Sequence, residues 1–427
     1  MKRYPKYKDS GIERFPEVPE GWQVVPCRSI VHELRFKNTK LQSTNYLSLM
    51  ANIGVMPYEE KGDVGNKMPE DLTKCKIVSK GDFVINSMNY SIGSYGVSAY
   101  NGVCSPVYVI LRPIEGRVLP TFASRIFECK SFQGNAQSHG NGILAHRCAI
   151  GWDILKALYV ALPPISEQEK ISVFLEAQLS QMDSAIESQE RMIELLKERR
   201  SAIITQAVTK GLNPNAKMKD SGVQWIGKVP DSWVIKAIKW ETSVKRGASP
   251  RPIDDEIYFD DEGEYAWVRI SDATATRTFL DKTEQRLSSL GSSLSVKLNP
   301  NDLFLSIAGT VGKPCIAKIK CCIHDGFVYF PHWKGCVKFL YYIFESGEPY
   351  RGLGKMGTQL NLNTDTVASI RIGFPPISEQ YSIANYLDNA LAKVDSTIDT
   401  QERMIELLKE RRSAIITQAV TGQIDVR

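Results

Sequence analysis

The chain has 427 residues, more than one hydrophobic core usually supports, so we expect at least two domains. Its composition, 43% hydrophobic and 24% charged, is ordinary for a soluble globular protein. No apolar run approaches the roughly 18–20 residues that span a bilayer, and the basic N-terminus lacks the apolar core of a secretory signal. We therefore expect a cytoplasmic protein, whose net charge of +5 permits a polyanionic partner without demanding one.

A short motif opens the chain and recurs near its middle. Lys8-Asp9-Ser10-Gly11, Val18-Pro19 and Trp22 are repeated 211 residues later, where the second motif ends in Trp233. The body that follows each motif is rich in β-branched and aromatic residues interrupted by Gly, Asn and Pro, which predicts a strand-rich domain. The two bodies share little sequence. In both, however, a turn entering a strand is predicted, at 80–85 and at 300–305.

A second repeat closes each half of the chain. The six residues PPISEQ at 163–168 recur at 375–380, and the 21 residues QERMIELLKERRSAIITQAVT occur unchanged at 189–209 and 401–421, both at an offset of 212. Matched blocks in one register indicate an internal duplication. We predict four segments in order: a strand-rich domain at 1–160, a helical region at 161–211, a second strand-rich domain at 212–372 and a second helical region at 373–427.

Each helical region carries apolar residues that alternate in steps of four and three, the pattern of a coiled coil. Proline before each region and glycine after it favour helix boundaries there. The predicted seam positions are Ile186, Gln189, Ile193, Leu196, Arg200 and Ile203, with their copies Ile398, Gln401, Ile405, Leu408, Arg412 and Ile415. We predict that the two helices pair antiparallel, because a heptad stripe needs a partner and the other copy is the nearest one.

The polar seam residues suggest a register. Pairing Gln189 with Arg412 and Gln401 with Arg200 matches all four polar residues, whereas a slip of one heptad would bury them against aliphatic side chains at about 1–3 kcal/mol each. A second apolar stripe, at Met192, Leu195, Ile204 and their copies, lies off this seam. Two interpretations stay open for it: cover for the base of the domains, or a docking face for another protein.

Sites for catalysis or metal binding are not predicted. Cys321, Cys322, His324, His332 and Cys336 form the densest group of potential ligands, but the surrounding CCIHDGFVYF alternates as a strand with reduced thiols does. The segment 309–314 imitates a phosphate loop with the wrong spacing and a proline after its lysine. The acidic clusters at 254–256 and 260–262 are expected to be solvated loops, so the chain is expected to bind rather than to catalyse.

The motif combination resembles the specificity subunit of type I restriction–modification enzymes. It consists of the tryptophans that close SGxxxxxxVPxxW, the LPPISEQ and FPPISEQ junctions, and helices that end in ERRSAIITQAVT shortly before a glycine, and it covers the whole chain. The resemblance implies an α+β protein with an internal pseudo-twofold: two strand-rich target-recognition domains separated by two long helices that form an antiparallel coiled coil. It also implies that each domain reads one half of an asymmetric, split, double-stranded DNA site.

The resemblance further implies two partner modification subunits, which methylate adenine, and restriction subunits with ATPase and nuclease activity. S-adenosylmethionine, ATP and Mg²⁺ would then belong to those partners, and no cofactor is expected here. Base reading uses amide and basic side chains. We therefore predict DNA contacts in loops of the first body at Asn86, Asn89, Tyr90 and Gln137, and of the second body at Lys245, Arg246, Arg251, Lys355, Thr358, Gln359 and Asn361.

Two other classes of function stay open from the residues alone. One is a structural scaffold that uses the coiled coil as a spine and binds only proteins. The other is an enzyme with an unrecognised nuclease site, which would cleave DNA with Mg²⁺ and no partner. Gel retardation of a random DNA library, and incubation of the isolated chain with DNA and Mg²⁺, distinguish these classes from a DNA-reading subunit.

Overall fold

Two compact units make up the computed structural model, which describes residues 2–65, 67–139, 149–350 and 362–427. Unit 1 contains residues 1–190 and 403–427, and unit 2 contains residues 191–402. Each unit therefore combines one strand-rich body with parts of both helical regions. The predicted segment boundaries at 160, 211 and 372 describe the order along the chain and stay a prediction.

Unit 1 is built mainly from short strands. They are β1 (Tyr7–Asp9), β2 (Glu17–Pro19), β3 (Gln23–Pro26), β4 (Val31–Glu33), β5 (Leu47–Met50), β6 (Gly54–Pro57), β7 (Lys76–Val78), β8 (Phe83–Asn86), β9 (Tyr95–Val97), β10 (Gly102–Cys104), β11 (Tyr108–Pro113) and β12 (Tyr159–Leu162). The helices are α1 (Pro120–Glu128), α2 (Lys130–Ser138), α3 (Trp152–Leu155) and the start of α4 (Ile165–Lys210).

An antiparallel sheet of four strands, in the order β4-β11-β8-β9, forms the centre of unit 1. One face of this sheet and the helices α1 and α2 bury Phe83, Phe122 and Phe127 in the main core of the unit. All four residues of β8 are buried, so this strand shows no alternation of buried and exposed side chains. Two-stranded pairs β1-β2, β3-β12, β5-β6 and β7-β10 surround the sheet.

Unit 2 contains more strands in its body. They are β13 (Met218–Asp220), β14 (Lys228–Pro230), β15 (Val234–Ala237), β16 (Lys245–Arg246), β17 (Tyr265–Val268), β18 (Phe279–Leu280), β19 (Gln285–Leu287), β20 (Val296–Leu298), β21 (Leu303–Ser306), β22 (Pro314–Ala317), β23 (Cys321–Ile323), β24 (Phe327–Tyr329) and β25 (Arg371–Phe374). The helices are α5 (Ile270–Ala275), α6 (Ser289–Ser293), α7 (Val337–Glu345), α8 (Thr364–Ser369) and α9 (Ile377–Val420), with the end of α4.

The body of unit 2 contains a five-stranded sheet and a four-stranded sheet, which differ from the antiparallel sheet of unit 1. Their strand orders are β16-β24-β21-β22-β18 and β19-β17-β23-β20, and each contains one parallel pair. The two bodies share one turn, at the two places where the sequence predicts a turn entering a strand. The carboxylate of Asp82 accepts from the Ser79 N–H at 2.8 Å before β8, and that of Asp302 accepts from the Asn299 N–H at 2.7 Å before β21. The predicted turn entering a strand is thus confirmed in both bodies.

The repeated blocks form the same frame in both units. The opening motif makes a hairpin, β1-β2 in unit 1 and β13-β14 in unit 2, with equivalent registers. The strand after the tryptophan then pairs with the strand that leads into the PPISEQ block, β3 with β12 and β15 with β25. The duplication therefore preserves the frame, while the sheets inserted into it differ.

Parts of the two long helices run antiparallel within each unit. In unit 1, the start of α4 lies beside both ends of the chain, because Tyr4 donates to Glu167 and the backbones of Lys2 and Asp425 pair. Further along α4, Asp183 binds Arg412, which comes earlier in the chain than Asp425. In unit 2, Arg200 meets Asp395, and the end of α4 lies by the start of α9. The predicted α+β class and antiparallel helices are confirmed. Within the described ranges, no helix is long and apolar enough to cross a membrane.

Candidate nucleic-acid interface and its helical frame

The tryptophan of each opening motif packs against the glycine that ends a long helix. In unit 1, Trp22 is 1% exposed, and a Cβ at Gly422 would lie 3.2 Å from its ring and 2.4 Å from Pro19. In unit 2, Trp233 is fully buried, and a Cβ at Gly211 would lie 3.3 Å from its ring. Both glycines have positive φ angles, as helix-ending residues often do. The opening motif of each half thus contacts the end of the helix from the other half.

The glutamine of each PPISEQ block caps a helix in its own unit. Gln168 accepts at Oε1 from the N–H of Leu119, the residue before α1, at 2.8 Å. Gln380 accepts from the N–H of Cys336, the residue before α7, at 2.9 Å. Both amides also donate to the carbonyl of the first proline in their own block. Because both side chains are buried, they satisfy N–H groups that water does not reach.

Arginines of the repeated helix segment bind aspartates in both units. Arg412 donates to Asp183 at 3.2 Å in unit 1, and Arg200 donates to Asp395 at 2.9 Å in unit 2. From the sequence, Gln189 was predicted to pair with Arg412, and Gln401 with Arg200. That prediction is wrong, because both guanidinium groups bind aspartates. A carboxylate is the stronger acceptor, and the long arginine side chain reaches it six residues before the glutamine along the facing helix.

The environment of the two arginines differs although their sequence does not. Arg200 also donates to Glu345, the last residue of α7, at 3.0 Å, and Lys313 lies 3.5 Å from the same carboxylate. Burial by itself lowers the pKa of Arg200, but Glu345 and Asp395 outweigh it and raise that pKa above its ordinary value. This four-residue ionic cluster has no described equivalent around Arg412, since Glu128 at the end of α1 pairs with Arg125 instead.

The predicted seam residues are covered to different degrees. None of them is fully exposed: Ile193, Ile398, Ile405 and Ile415 are buried, and Ile186, Gln189, Leu196, Arg200, Ile203, Gln401, Leu408 and Arg412 are half-buried. The predicted register of the two helices at the apolar seam positions stays a prediction. The off-seam stripe is divided, because Ile204 and Ile416 are buried in the cores of their units. Met192, Leu195, Met404 and Leu407 are 45–55% exposed.

Two residues that we predicted to contact DNA in unit 1 instead maintain the fold. Tyr90 is 1% exposed and its hydroxyl donates to the carbonyl of Phe127 at 2.6 Å; burial raises its pKa well above the ordinary value. Asn86 is 6% exposed and its Oδ1 accepts from the N–H of Met88 at 3.1 Å. Both side chains are therefore buried within the protein, and the predicted contacts are corrected. Asn89, between them, is exposed at the surface.

The remaining candidate in unit 1, Gln137, lies on a helix and not in a loop. The predicted loop at 133–139 falls largely within α2, which spans Lys130–Ser138, so Gln137 is half-buried near the end of that helix. The buried Gln133 supports this arrangement by donating to the carbonyl of Phe127 at 3.1 Å. The glycine at 134 favoured a loop in the prediction. Its conformational cost in a helix is only about 1 kcal/mol, and the packing of the helix outweighs this cost.

In unit 2, three predicted basic residues lie together at the surface. Lys245 and Arg246 form the exposed strand β16, and Arg251 follows in the adjoining loop with 71% of its side chain exposed. Arg246 and Arg251 both donate to Asp325, the former to its backbone carbonyl and the latter to its carboxylate at 3.1 Å. Asp325 was not predicted to belong to this surface, although its place in the apolar run CCIHDGFVYF marks a turn. Lys355, Thr358, Gln359 and Asn361 lie outside the described residues.

The candidate metal and phosphate sites do not form. Among the described residues, no group of three or more His, Cys, Asp or Glu is placed to hold a metal ion. Cys321, Cys322 and Cys336 are buried in the cores of unit 2, and burial raises the pKa of Cys322 to about 11. The segment that imitates a phosphate loop connects β21 to β22 and therefore leads into a strand, whereas a phosphate loop leads into a helix.

Comparisons with known proteins agree with this arrangement. Residues 245–409 match the family described as "Type I restriction modification DNA specificity domain". The chain is 23% identical to a putative type I restriction enzyme MjaX specificity subunit of Methanocaldococcus jannaschii, over 99% of this chain and 98% of the relative. It is 26% identical to the EcoKI specificity subunit of Escherichia coli, over 46% of this chain and 44% of that protein.

A solved structure shares the fold. A chain from "Structural basis underlying complex assembly and conformational transition of the type I R-M system" aligns with 95% of this chain and 99% of its own, with a TM-score of 0.73 at 17% identity. The same fold thus extends along almost the whole of both chains. The chain is thus similar over almost its whole length to specificity subunits of type I restriction enzymes, and residues 245–409 match the DNA specificity domain of that family.

Proposed function

We propose that this chain is the DNA-reading subunit of a type I restriction–modification complex and performs no catalysis itself. It reads an asymmetric, bipartite, double-stranded DNA site, with one half-site for each unit. The observation that carries the proposal is the contrast between the frame and the bodies. Both units repeat the same hairpin, tryptophan–glycine contact, glutamine cap and arginine–aspartate pair, whereas their sheets differ.

A duplicated frame with different bodies suits a site whose halves differ in sequence. Symmetric dimers read symmetric sites because each half presents the same surface. Here the two surfaces differ, so the two half-sites are expected to differ as well. The exposed Lys245, Arg246 and Arg251 of unit 2 and the exposed Asn89 of unit 1 have the chemistry for contacts with phosphates and base edges.

The exposed apolar positions of the repeated helix segment support docking of like partners. Met192 and Leu195 recur as Met404 and Leu407, and all four are about half exposed. Exposed apolar residues at identical positions of two identical segments suit two copies of one partner. The proposed partners are two methyltransferase subunits, which would carry S-adenosylmethionine, with restriction subunits that would carry ATP and Mg²⁺. A cytoplasmic location for this complex is part of the proposal.

Methylation sequencing tests this function. The chain would be assembled with the methyltransferase subunits of its own system, and DNA exposed to the complex would be sequenced for methylated adenine. We expect one split motif with unlike halves. A symmetric motif, or methylation without sequence preference, would contradict the proposal. Cleavage of DNA by the isolated chain with Mg²⁺ would contradict the non-catalytic role.

The docking face is tested by a charge placed in the exposed stripe. Met192→Glu combined with Met404→Glu is expected to abolish assembly with methyltransferase subunits, measured by size-exclusion chromatography with light scattering. Lys197→Glu is the matched control, because Lys197 is exposed on the same helix but about 140° around it from Met192. Equal loss of assembly in both variants would count against the stripe as the docking face.

A further inference from the structure

A turn in unit 2 brings one carboxylate against the two exposed arginines of the candidate interface. Arg251 donates from Nη2 to Asp325 Oδ2 at 3.1 Å, and Ser249 donates from its hydroxyl to Asp325 Oδ1, also at 3.1 Å. Arg246 donates from Nε to the backbone carbonyl of Asp325. Three side chains of the loop 246–251 therefore converge on a single residue, which lies 74 to 79 positions away along the chain.

The backbone that carries these groups is closely fitted. The N–H groups of Gly247 and Ala248 donate to the carbonyls of Phe327 and Ile323 at 3.0 and 3.1 Å. A Cβ at Gly247 would lie 2.2 Å from the carbonyl oxygen of His324, so no side chain fits there. The loop and the turn thus pair through their main chains, and the position of the arginines is set by the fold.

The turn itself is held by the imidazole of His324. Its Nδ1 accepts from the N–H of Gly326 at 2.9 Å, and its ring lies 4.7 Å from the ring of Phe327 and 5.9 Å from that of Trp267. Burial lowers the pKa of His324, which keeps the ring neutral and able to accept this hydrogen bond. Asp325 is therefore presented at the tip of a fixed turn.

This arrangement is suited to reading a base and poorly suited to holding a phosphate. A carboxylate beside the guanidinium neutralises its charge and repels an approaching phosphate. It also holds the guanidinium at Nη2, and the remaining N–H groups stay available because 71% of the Arg251 side chain is exposed. Guanine presents two acceptors, O6 and N7, at a spacing that matches the arginine fork in the major groove.

We propose that Asp325 is a positioning residue that holds Arg251 as the reader of a guanine in the half-site of unit 2. The proposal rests on the proposed function, because it requires that unit 2 reads DNA. Lys245 has a different role: its compact ammonium binds a phosphate and contributes to affinity without base preference.

The test is methylation sequencing of a randomised duplex library with the chain assembled with its methyltransferase subunits. The wild-type complex is expected to require guanine at one position of one half-site. In Asp325→Asn, discrimination at that position is expected to fall about tenfold or more, while the other half-site stays unchanged. Affinity for duplex without the site is expected to stay constant or rise, because a negative charge is removed. A merely structural role would not move a single base preference.

Three further variants keep the proposal falsifiable. Arg251→Lys retains the charge but loses the fork, so it is expected to relax the same position, whereas Lys245→Ala is expected to weaken binding to all sequences equally. Glu264→Gln, which removes an exposed carboxylate paired with Lys320, is the matched control and should change neither. An unchanged motif in Asp325→Asn and Arg251→Lys would overturn the proposal. Absence of any motif in the wild-type complex would instead overturn the proposed function, and this proposal with it.

Discussion

Two arginines in identical segments are predicted to contribute unequally to stability. Arg200→Met removes a guanidinium that contacts two carboxylates, Glu345 with 14% and Asp395 with 25% of the side chain exposed. Breaking a fully buried ion pair costs about 3–5 kcal/mol, and the partial exposure here reduces the expected cost to about 2–3 kcal/mol. Arg412→Met is the matched control supplied by the chain. Its partner Asp183 is 55% exposed, so we expect a cost of about 0–1 kcal/mol.

Hydrogen exchange measures this difference for each unit separately, which a single melting curve of a two-unit chain does not. Methionine preserves most of the apolar stem, so the comparison isolates the charge. A difference of about 2 kcal/mol corresponds to roughly thirtyfold faster exchange of amides in α7 for Arg200→Met. The amides of α1 in Arg412→Met should change about fivefold at most. Equal losses of protection, or a larger loss for Arg412→Met, would refute the assignment of the ionic cluster as the cause.

Three other predictions concern the frame and the thiols. Gln168→Ala and Gln380→Ala should each lower the free energy of unfolding by about 1–2 kcal/mol, seen by urea titration, because a buried N–H loses its acceptor. Gly422→Ala should lower the melting temperature more than Gly211→Ala, since only the former places a Cβ 2.4 Å from a proline ring; the reverse order would contradict this packing. Iodoacetamide at pH 8 should label Cys322 only after denaturation, because its buried thiol has a pKa of about 11; rapid native labelling, read by peptide mass spectrometry, would disprove its burial.

The repeated frame was predictable because its signals are local and appear twice. The heptad steps, the helix-ending glycines and the matched registers each identify an element without knowledge of its partner. The candidate interface was less predictable because exposure depends on packing. Tyr90 looked like a loop residue, yet its ring fills the core formed with Phe127. Asp325 was missed because its partners lie 74 or more positions earlier in the chain.

The choice of glutamine as partner of the seam arginines failed for a related reason. Residues were paired by heptad position alone, whereas a long side chain reaches along the facing helix to the best acceptor within its range. Asp183 and Asp395 are such acceptors, and both lie off the seam. These two aspartates are 212 positions apart, the same offset as the repeated helix segments. The offset marks them as equivalent residues, but only the geometry of the arginine side chains shows that they are the acceptors.

The composition of unit 1 has a genetic consequence. A crossover between the two identical 21-residue segments would delete 212 residues and leave a chain of 215, which contains essentially the residues of unit 1. In that product, residues 165–188 would continue directly into 401–420 as one helix. These stretches pack antiparallel in unit 1, which a single straight helix does not allow. A second copy would have to supply the missing partner, so the deletion product would be a homodimer that presents the same reading surface twice and recognises a palindrome.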